Sequence, residues 1–494
     1  MTNQITYKPT SLPYMPQKVS NMAMLTYLAA LVTCAVVYNY YALEFRWILF
    51  GIIEVCGFFY FSNHCSKVWV NNTPKTFITK LFWWGFAIRV LWVIISYLLY
   101  LHWTDTPFSI GAADELFYDE VGHYGASMIR EGNWNIYAAI QQYASETQFS
   151  DMGYPIYLSI VYWIFGDSIL IARIIKAIWS ALTAVLIYKL ASRNFGEYVG
   201  RMAGVFCMLM PNLIYYCSFQ LKEVEMVFLA VLFAERADFI LRKSKIQWKA
   251  LLLLLLLLIP AYMFMIRTAL AATLVLALLC ALLFTSGRVV STGRRIALST
   301  LAGIAVIVML FSTTSIGDDV SQMWQTGGSG QQGNMEWRAE RGKAEGTLNQ
   351  RFAKYAGAVV FAPMIFTIPF PTMVETPGQE NQKMIHGGNY VKNILSFFTI
   401  TILFVLLLSG DWRKHVLPIA LLCGYLVVLV FSNFAHSERF HQPILPFTMM
   451  MAAYGISRMR ELRWIKSWYP YWCILMLIAA IAWNWFKLAG RGMI

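Results

Sequence analysis

Apolar runs long enough to cross a bilayer recur along almost the whole chain, from residue 21 to the C-terminal end. A hydrocarbon core about 30 Å thick needs roughly 20 apolar residues per helical crossing. Inside it, backbone polar groups must be satisfied within the protein, so only helices or a closed barrel can span. The runs here are continuous rather than alternating, which selects helices. Composition agrees: 58% of residues are hydrophobic and only 13% are charged, where a soluble domain carries about 25% charge. The expected fold class is an all-α polytopic membrane protein with about 13 transmembrane helices. No cleavable signal peptide is expected, because the first twenty residues are polar and no small-residue cleavage site follows the first apolar run.

The net charge of +13 does not point to nucleic acid. Basic residues gather in short loops such as the one holding Lys67, Lys75 and Lys80, as cytoplasmic loops do under the positive-inside rule. The eight cysteines lie in or beside apolar runs without metal-type spacing, so neither a disulfide framework nor a zinc site is implied.

With the N-terminus inside, residues 1–103 form a cytoplasmic tail and three spans, the third running outward at 81–103. Residues 104–168 form a first outer segment, in which the apolar stretch 154–165 is too short to cross and is expected to lie in the interface. Residues 169–311 hold spans four to nine, with span five at 199–218 and Arg267 at an outer turn between spans seven and eight. A long outer segment, 312–389, begins as a Gly- and Gln-rich loop, expected to be mobile over 312–354. It continues as an apolar stretch broken by Pro363, Pro369 and Pro371, expected to be interfacial or re-entrant. Residues 390–494 complete the bundle with four more spans.

Charges outside cytoplasmic loops carry the information. Asp114, Glu115, Asp119 and Glu120, then Lys222 with Glu223, Arg267, and Glu438 with Arg439 all fall at outer ends of spans, where distant helices can border one hollow. Asp114 and Glu115 read either as a solvated N-terminal helical turn or as a general base with an acidic neighbour. Arg267, inside an apolar run, reads either as snorkelling to headgroups or as a phosphate ligand, since guanidinium matches phosphate bidentately. Lys222 and Arg439 have the same two readings. A metal site from Asp114, Asp119 and His123 matches no strong motif, so no metal site is assigned. Glu54 and Arg89 lie within spans two and three and are read as structural, either paired with each other or with Arg89 reaching for the inner headgroups. Arg173 and Lys176 are expected to be headgroup anchors.

The order of these features resembles the GT-C glycosyltransferases, closest to the branch of protein O-mannosyltransferases and lipid A aminoarabinose transferases. An outward span delivers an acidic motif, here "ADELFYDEVGHYGASMIREGNW", and a Pro-containing juxtamembrane helix ends in Phe-Gly, here "YPIYLSIVYWIFGDS". A basic turn with Phe-Gly follows in "LASRNFGEYVGRMAG", then a Pro-terminated span and acidic loop in "LMPNLIYYCSFQLKEVE". Later, "MIRTAL" and "SERFHQPILPF" resemble the family more loosely. Two extra spans precede the acidic motif, and "MGYP" stands where aminoarabinose transferases begin Lys-Pro-Pro.

The resemblance implies a GT-C-type bundle with outer juxtamembrane helices and a sugar transfer from a polyprenyl-phosphate carrier to a hydroxyl of a protein, lipid or glycan. Asp114 looks like the catalytic base and Glu115 its neighbour. Lys222, Glu223, Arg267 and Arg439 look like carrier-phosphate or donor-binding residues, with Tyr118, His123, Tyr154 and Glu438 as further substrate contacts. The expected setting is a bacterial inner membrane with the site facing outward and membrane lipids as surroundings. No cofactor is expected, and dependence on a divalent cation is left open. Two other functions stay in view: a polymerase or ligase of diphosphate-linked glycans, and a lipid or glycan flippase. The absence of an internal repeat, and the placing of most singular charges at the outer face rather than deep in the spans, weigh against the flippase.

Overall fold

The computed structural model describes residues 11–144, 149–242, 249–285, 364–431 and 437–494, with isolated positions at 292, 293, 296 and 300. The expected mobile stretch 312–354 and span nine, 296–311, lie outside the described residues except for positions 296 and 300. Among the described residues the chain is helical, and the one β feature is an isolated bridge between Ala42 and Val374.

Three long helices open the chain: α1 (Gln17–Val37), α2 (Phe45–Val68) and α3 (Pro74–Thr104). The start of α3 is built from local chemistry. Thr73 caps it by accepting from Thr76 N at 3.2 Å, and Pro74 fills the first turn, where a missing N–H costs nothing. It ends at Asp105, whose φ of 55° turns the chain sharply toward α4 (Ala113–Arg130), α5 (Ile136–Tyr143) and α6 (Phe149–Phe165). The interfacial stretch expected at 154–165 thus belongs to a longer helix with Pro155 in its first two turns.

Next come α7 (Ile169–Phe195), α8 (Glu197–Leu209), α9 (Pro211–Tyr215), α10 (Glu223–Arg242), α11 (Lys249–Phe264) and α12 (Thr268–Phe284). The remainder is α13 (Glu380–Met384), α14 (His386–Ser409), α15 (Val416–Phe431), α16 (Glu438–His441), α17 (Leu445–Ser457) and α18 (Arg463–Ala489). Six described helices, α1, α2, α3, α7, α14 and α18, are long and apolar enough to cross a membrane, and α12 and α15 are shorter apolar helices. Exposed Leu91, Leu98 and Trp84 on α3 and Ile474 and Ile478 on α18 form the kind of surface that lipid covers.

Span five, expected as one helix, is broken. Pro211 has no N–H with which to continue α8, so α9 starts afresh there. The carbonyls left at the end of α8 find Arg89 of α3. Its guanidinium donates to Met208 O and Cys207 O at 3.0 Å each, to Gly85 O at 3.0 Å and to Ser180 Oγ at 2.7 Å. Glu54 serves the opposite helix end: it accepts from Gly388 N at 3.0 Å and so caps α14. Gly387 admits that approach, since a Cβ there would sit 2.6 Å from Glu54 Oε2. The expected pairing of Glu54 with Arg89 is therefore corrected: each charge satisfies a helix terminus that the bilayer would leave bare.

The described end of the long outer segment packs between α14 and α18. Asn393 Nδ2 donates to Pro369 O at 3.0 Å, Ser396 Oγ to Phe366 O at 2.7 Å, and Asn484 Nδ2 to Pro371 O at 3.2 Å. Side chains of two helices thus satisfy a prolyl backbone that has no ladder of its own.

Candidate functional site

Asp114 and Glu115 stand in the first turn of α4. Adjacent residues on a helix point about 100° apart, and here the two carboxylates part company. The Asp114 side chain is 58% exposed, whereas that of Glu115 is 2% exposed. Glu115 accepts from Ser109 N at 3.3 Å, from Ser109 Oγ, from Gln220 N at 2.8 Å and from Arg173 Nη2 at 3.4 Å. It ties the α3–α4 loop to the loop before α10 and faces a guanidinium that is wholly buried.

Arg173 and Lys176 depart from the headgroup-anchor expectation, because both are fully buried. Lys176 donates to Tyr154 Oη at 3.0 Å, to Phe219 O at 2.7 Å and to Leu221 O, with Glu225 at 3.8 Å. Carboxylates from α4 and α10 give these cations internal partners, so they do not need to reach the interface. Tyr154 is engaged below the surface at 0% exposure.

Asp114 meets a different cation. Arg439, on α16, places Nη1 2.5 Å from Asp114 Oδ2, and its Nε donates to Glu223 Oε1. One guanidinium thus bridges a solvent-facing carboxylate to a buried one. The next residue, Phe440, lies under the guanidinium of Arg267, with Cζ 4.5 Å from the ring centroid. Arg267 caps α12 with an extended backbone, φ −162°. Its Nε accepts no role in any hydrogen bond with the described residues, and it forms no ion pair among them. Asp114, Arg439, Phe440 and Arg267 therefore form one continuous chain of contacts.

Lys222 does not share that freedom. Its ammonium donates to Asp151 and, at 2.7 Å, to Ile266 O, and Tyr118 Oη donates to the same Asp151 oxygen at 3.2 Å. Gly153 N donates to Met265 O at 2.7 Å, and Tyr262 Oη donates to Gly153 O at 3.0 Å. The start of α6 is thereby docked on the turn that presents Arg267. A Cβ on Gly153 would lie 2.9 Å from Met265 O, so only glycine fits that contact unstrained.

His123 lies farther along α4. It stacks on Tyr162 with centroids 4.2 Å apart and meets Asp119 at 3.3 Å and Asp167 at 3.4 Å. The Asp119 carboxylate bonded to it raises the imidazole above its ordinary 6.5, against the opposing pull of burial. Glu438 is buried and its carboxyl is raised by that burial, with Lys487, Arg439 and Lys392 as the nearest compensating charges. Asp119 and His123 meet while Asp114 faces Arg439, and no group of three His, Cys, Asp or Glu among the described residues has metal-holding geometry.

The structure thus brings Asp114, Glu223, Arg439 and Arg267 together, with Lys222 and Tyr118 bracing them from one side and Glu115 from below. Asp151, Gly153, Arg173, Gln220 and Phe440 join this constellation without having been singled out as site residues. One signal was available: Arg173 and Lys176, three apart on α7, share a helix face.

Two family models match the chain. One, described as dolichyl-phosphate-mannose-protein mannosyltransferase, matches residues 152–316, and the other, the Alg9-like mannosyltransferase family, matches residues 384–493. Lys222, Glu223 and Arg267 fall in the first and Arg439 in the second, while Asp114 and Glu115 precede both. No curated protein and no solved structure gave a match. Both matched families are membrane mannosyltransferases, and the helical bundle accords with them: the chain belongs to the GT-C superfamily of polyprenyl-phosphate-sugar glycosyltransferases.

Proposed function

We propose that the protein transfers a hexose of the mannose type from a polyprenyl-phosphate carrier to an acceptor hydroxyl at the outer face of the membrane, with inversion. The observation that carries this reading is the contact chain from Asp114 through Arg439 and Phe440 to Arg267. It links a solvent-facing carboxylate, through two consecutive residues of α16, to the guanidinium of Arg267, which has no anionic partner among the described residues. The acceptor oxygen attacks the anomeric carbon and the bond from that carbon to the phosphate oxygen breaks. The hydroxyl proton passes to Asp114, and the carrier leaves as its phosphate. Arg267 stabilises the charge growing on that phosphate, the step at which a preorganised cation helps most. Arg439 orients Asp114 through Oδ2 and leaves Oδ1 for the proton. In this reading Glu115 and Lys222 position the reacting groups and do not touch them. The name of the first matched family favours a protein acceptor.

The test is Asp114→Asn in purified, correctly inserted protein supplied with polyprenyl-phosphate mannose and an acceptor. Loss of a positioned general base lowers kcat by about 100-fold or more. Transfer at near the parent rate would remove Asp114 from the mechanism.

A further inference from the structure

Beneath the Asp114–Arg439–Glu223 bridge lies a small cavity between α7, α9, α10 and the turn after α16. Its walls include Ser180, Thr183, Tyr216, Glu223, Val227 and Gln442. Glu223 and Gln442 are each 1% exposed, and each turns an oxygen to which no described residue donates: Glu223 Oε2 and Gln442 Oε1. The other Glu223 oxygen is engaged by Arg439. Rotating the Gln442 amide does not resolve the mismatch. Its Nε2 already donates to Glu438 O at 3.3 Å, so the reversed amide would set two acceptors against each other. Two buried acceptors facing one cavity cost about 1–3 kcal/mol each if left without donors. The cavity admits about one water-sized group.

We propose that this cavity is a hydroxyl-binding subsite: it takes one O–H group, which donates to Glu223 Oε2 or Gln442 Oε1. The ligand chemistry follows from the two acceptors without donors, Glu223 Oε2 and Gln442 Oε1, set in a wall that also carries the hydroxyl residues Ser180, Thr183 and Tyr216 beside apolar Leu213, Val224 and Val227. Two sources supply it. One is a resident water bridging both oxygens. The other is a hydroxyl of the transferred hexose, and this source alone rests on the function proposed above. In the second case Glu223 and Gln442 help to choose which sugar is accepted, because a site built to bond a hydroxyl rejects an analogue that lacks it far more strongly than a pocket excludes a methylene.

Val227→Leu and Gln442→Met test this on the full-length protein in detergent. Leucine fills the cavity from an apolar wall, and methionine removes one acceptor together with the Nε2 donor to Glu438 O, so only the leucine variant is read for stability. Two readouts are taken: thermal inactivation without donor, for Val227→Leu, and KM for polyprenyl-phosphate mannose, for both variants. If the cavity holds water, Val227→Leu inactivates at lower temperature than the parent. If it receives a sugar hydroxyl, Val227→Leu keeps or gains thermal stability while KM for the donor rises about 10-fold or more in both variants, and the parent's preference for mannose over its deoxy analogues shrinks. If Val227→Leu is as stable as the parent or more so, with KM and sugar preference unchanged in both variants, the cavity binds nothing and the proposal is overturned. Should the parent itself fail to use any polyprenyl-phosphate hexose, the transferase reading falls, and the stability arm still decides whether the cavity holds a water.

Discussion

Replacing Glu115 by glutamine separates positioning from chemistry. The carboxylate receives two donors on each oxygen: Ser109 N and Oγ on Oε1, Gln220 N and Arg173 Nη2 on Oε2. An amide accepts on one side only, so Glu115→Gln deprives one pair of donors of its acceptor. It also leaves the Arg173 guanidinium, 0% exposed, without its counter-charge. Breaking a buried ion pair from one side costs about 3–5 kcal/mol, and the one backbone N–H left facing the amide nitrogen, of Ser109 or of Gln220, adds roughly 1–3 kcal/mol. The expected result is inactivation at markedly lower temperature, with any surviving kcat reduced because Gln220 carries the chain toward Lys222 and Glu223. The assay is residual folded protein after heating in detergent, run beside single-turnover transfer. Arg173→Met in the Glu115→Gln background removes the orphaned charge and should recover part of the lost stability, a coupling absent from either change alone. Parent-like thermal stability in Glu115→Gln with kcat abolished would refute the argument, since that is the signature of a residue acting directly in the reaction.

Three further outcomes follow from the geometry. Gly153→Ala sets a methyl 2.9 Å from Met265 O; the overpacking costs about 1–3 kcal/mol, shifts the turn carrying Arg267, and should raise the donor KM in steady-state assays. Arg267→Gln keeps the packing on Phe440 and loses the charge; kcat should fall about 10- to 100-fold, with Arg267→Lys restoring part of it, and equal kcat in all three proteins would remove Arg267 from the phosphate site. The clasp of His123 between Asp119 and Asp167 depends on pH. Because the folded imidazole is raised above 6.5, its contribution to stability is fully present below pH 6.5 and is lost as pH rises through the folded value. Thermal inactivation of the parent and of His123→Gln should therefore differ at acidic pH and converge at alkaline pH; a constant gap would show that the ring acts by stacking on Tyr162 alone.

The bundle was legible because long uncharged runs leave the chain few choices. The acidic motif was legible for the converse reason: carboxylates are conspicuous in a sequence this apolar. Which carboxylate of the pair faces water was not, because it depends on where α3 stops and how Asp105 turns the chain, a matter of one residue of register. Arg173 and Lys176 read as interface anchors because their partners, Glu115 and Glu225, lie 58 and 49 residues away, and proximity at that separation is set by tertiary packing. The break at Pro211 was written in the sequence, but whether a proline bends a helix or ends it depended on Arg89, which stands ready on another helix to receive the freed carbonyls. Phe440 escaped notice for a simpler reason: an aromatic beside an arginine in a membrane protein is unremarkable until a second arginine lies on it.

Helix α16 is only four residues long, yet consecutive positions of it, Arg439 and Phe440, hold the acid and the distant cation respectively. On the mechanism proposed above, the separation between the place where a proton is received and the place where a lipid anion is released is thereby locked to the pitch of a single turn. Acceptors of different bulk must be accommodated by the rim of the hollow, since its two poles cannot be moved apart independently, and substitutions at either pole will be felt at both.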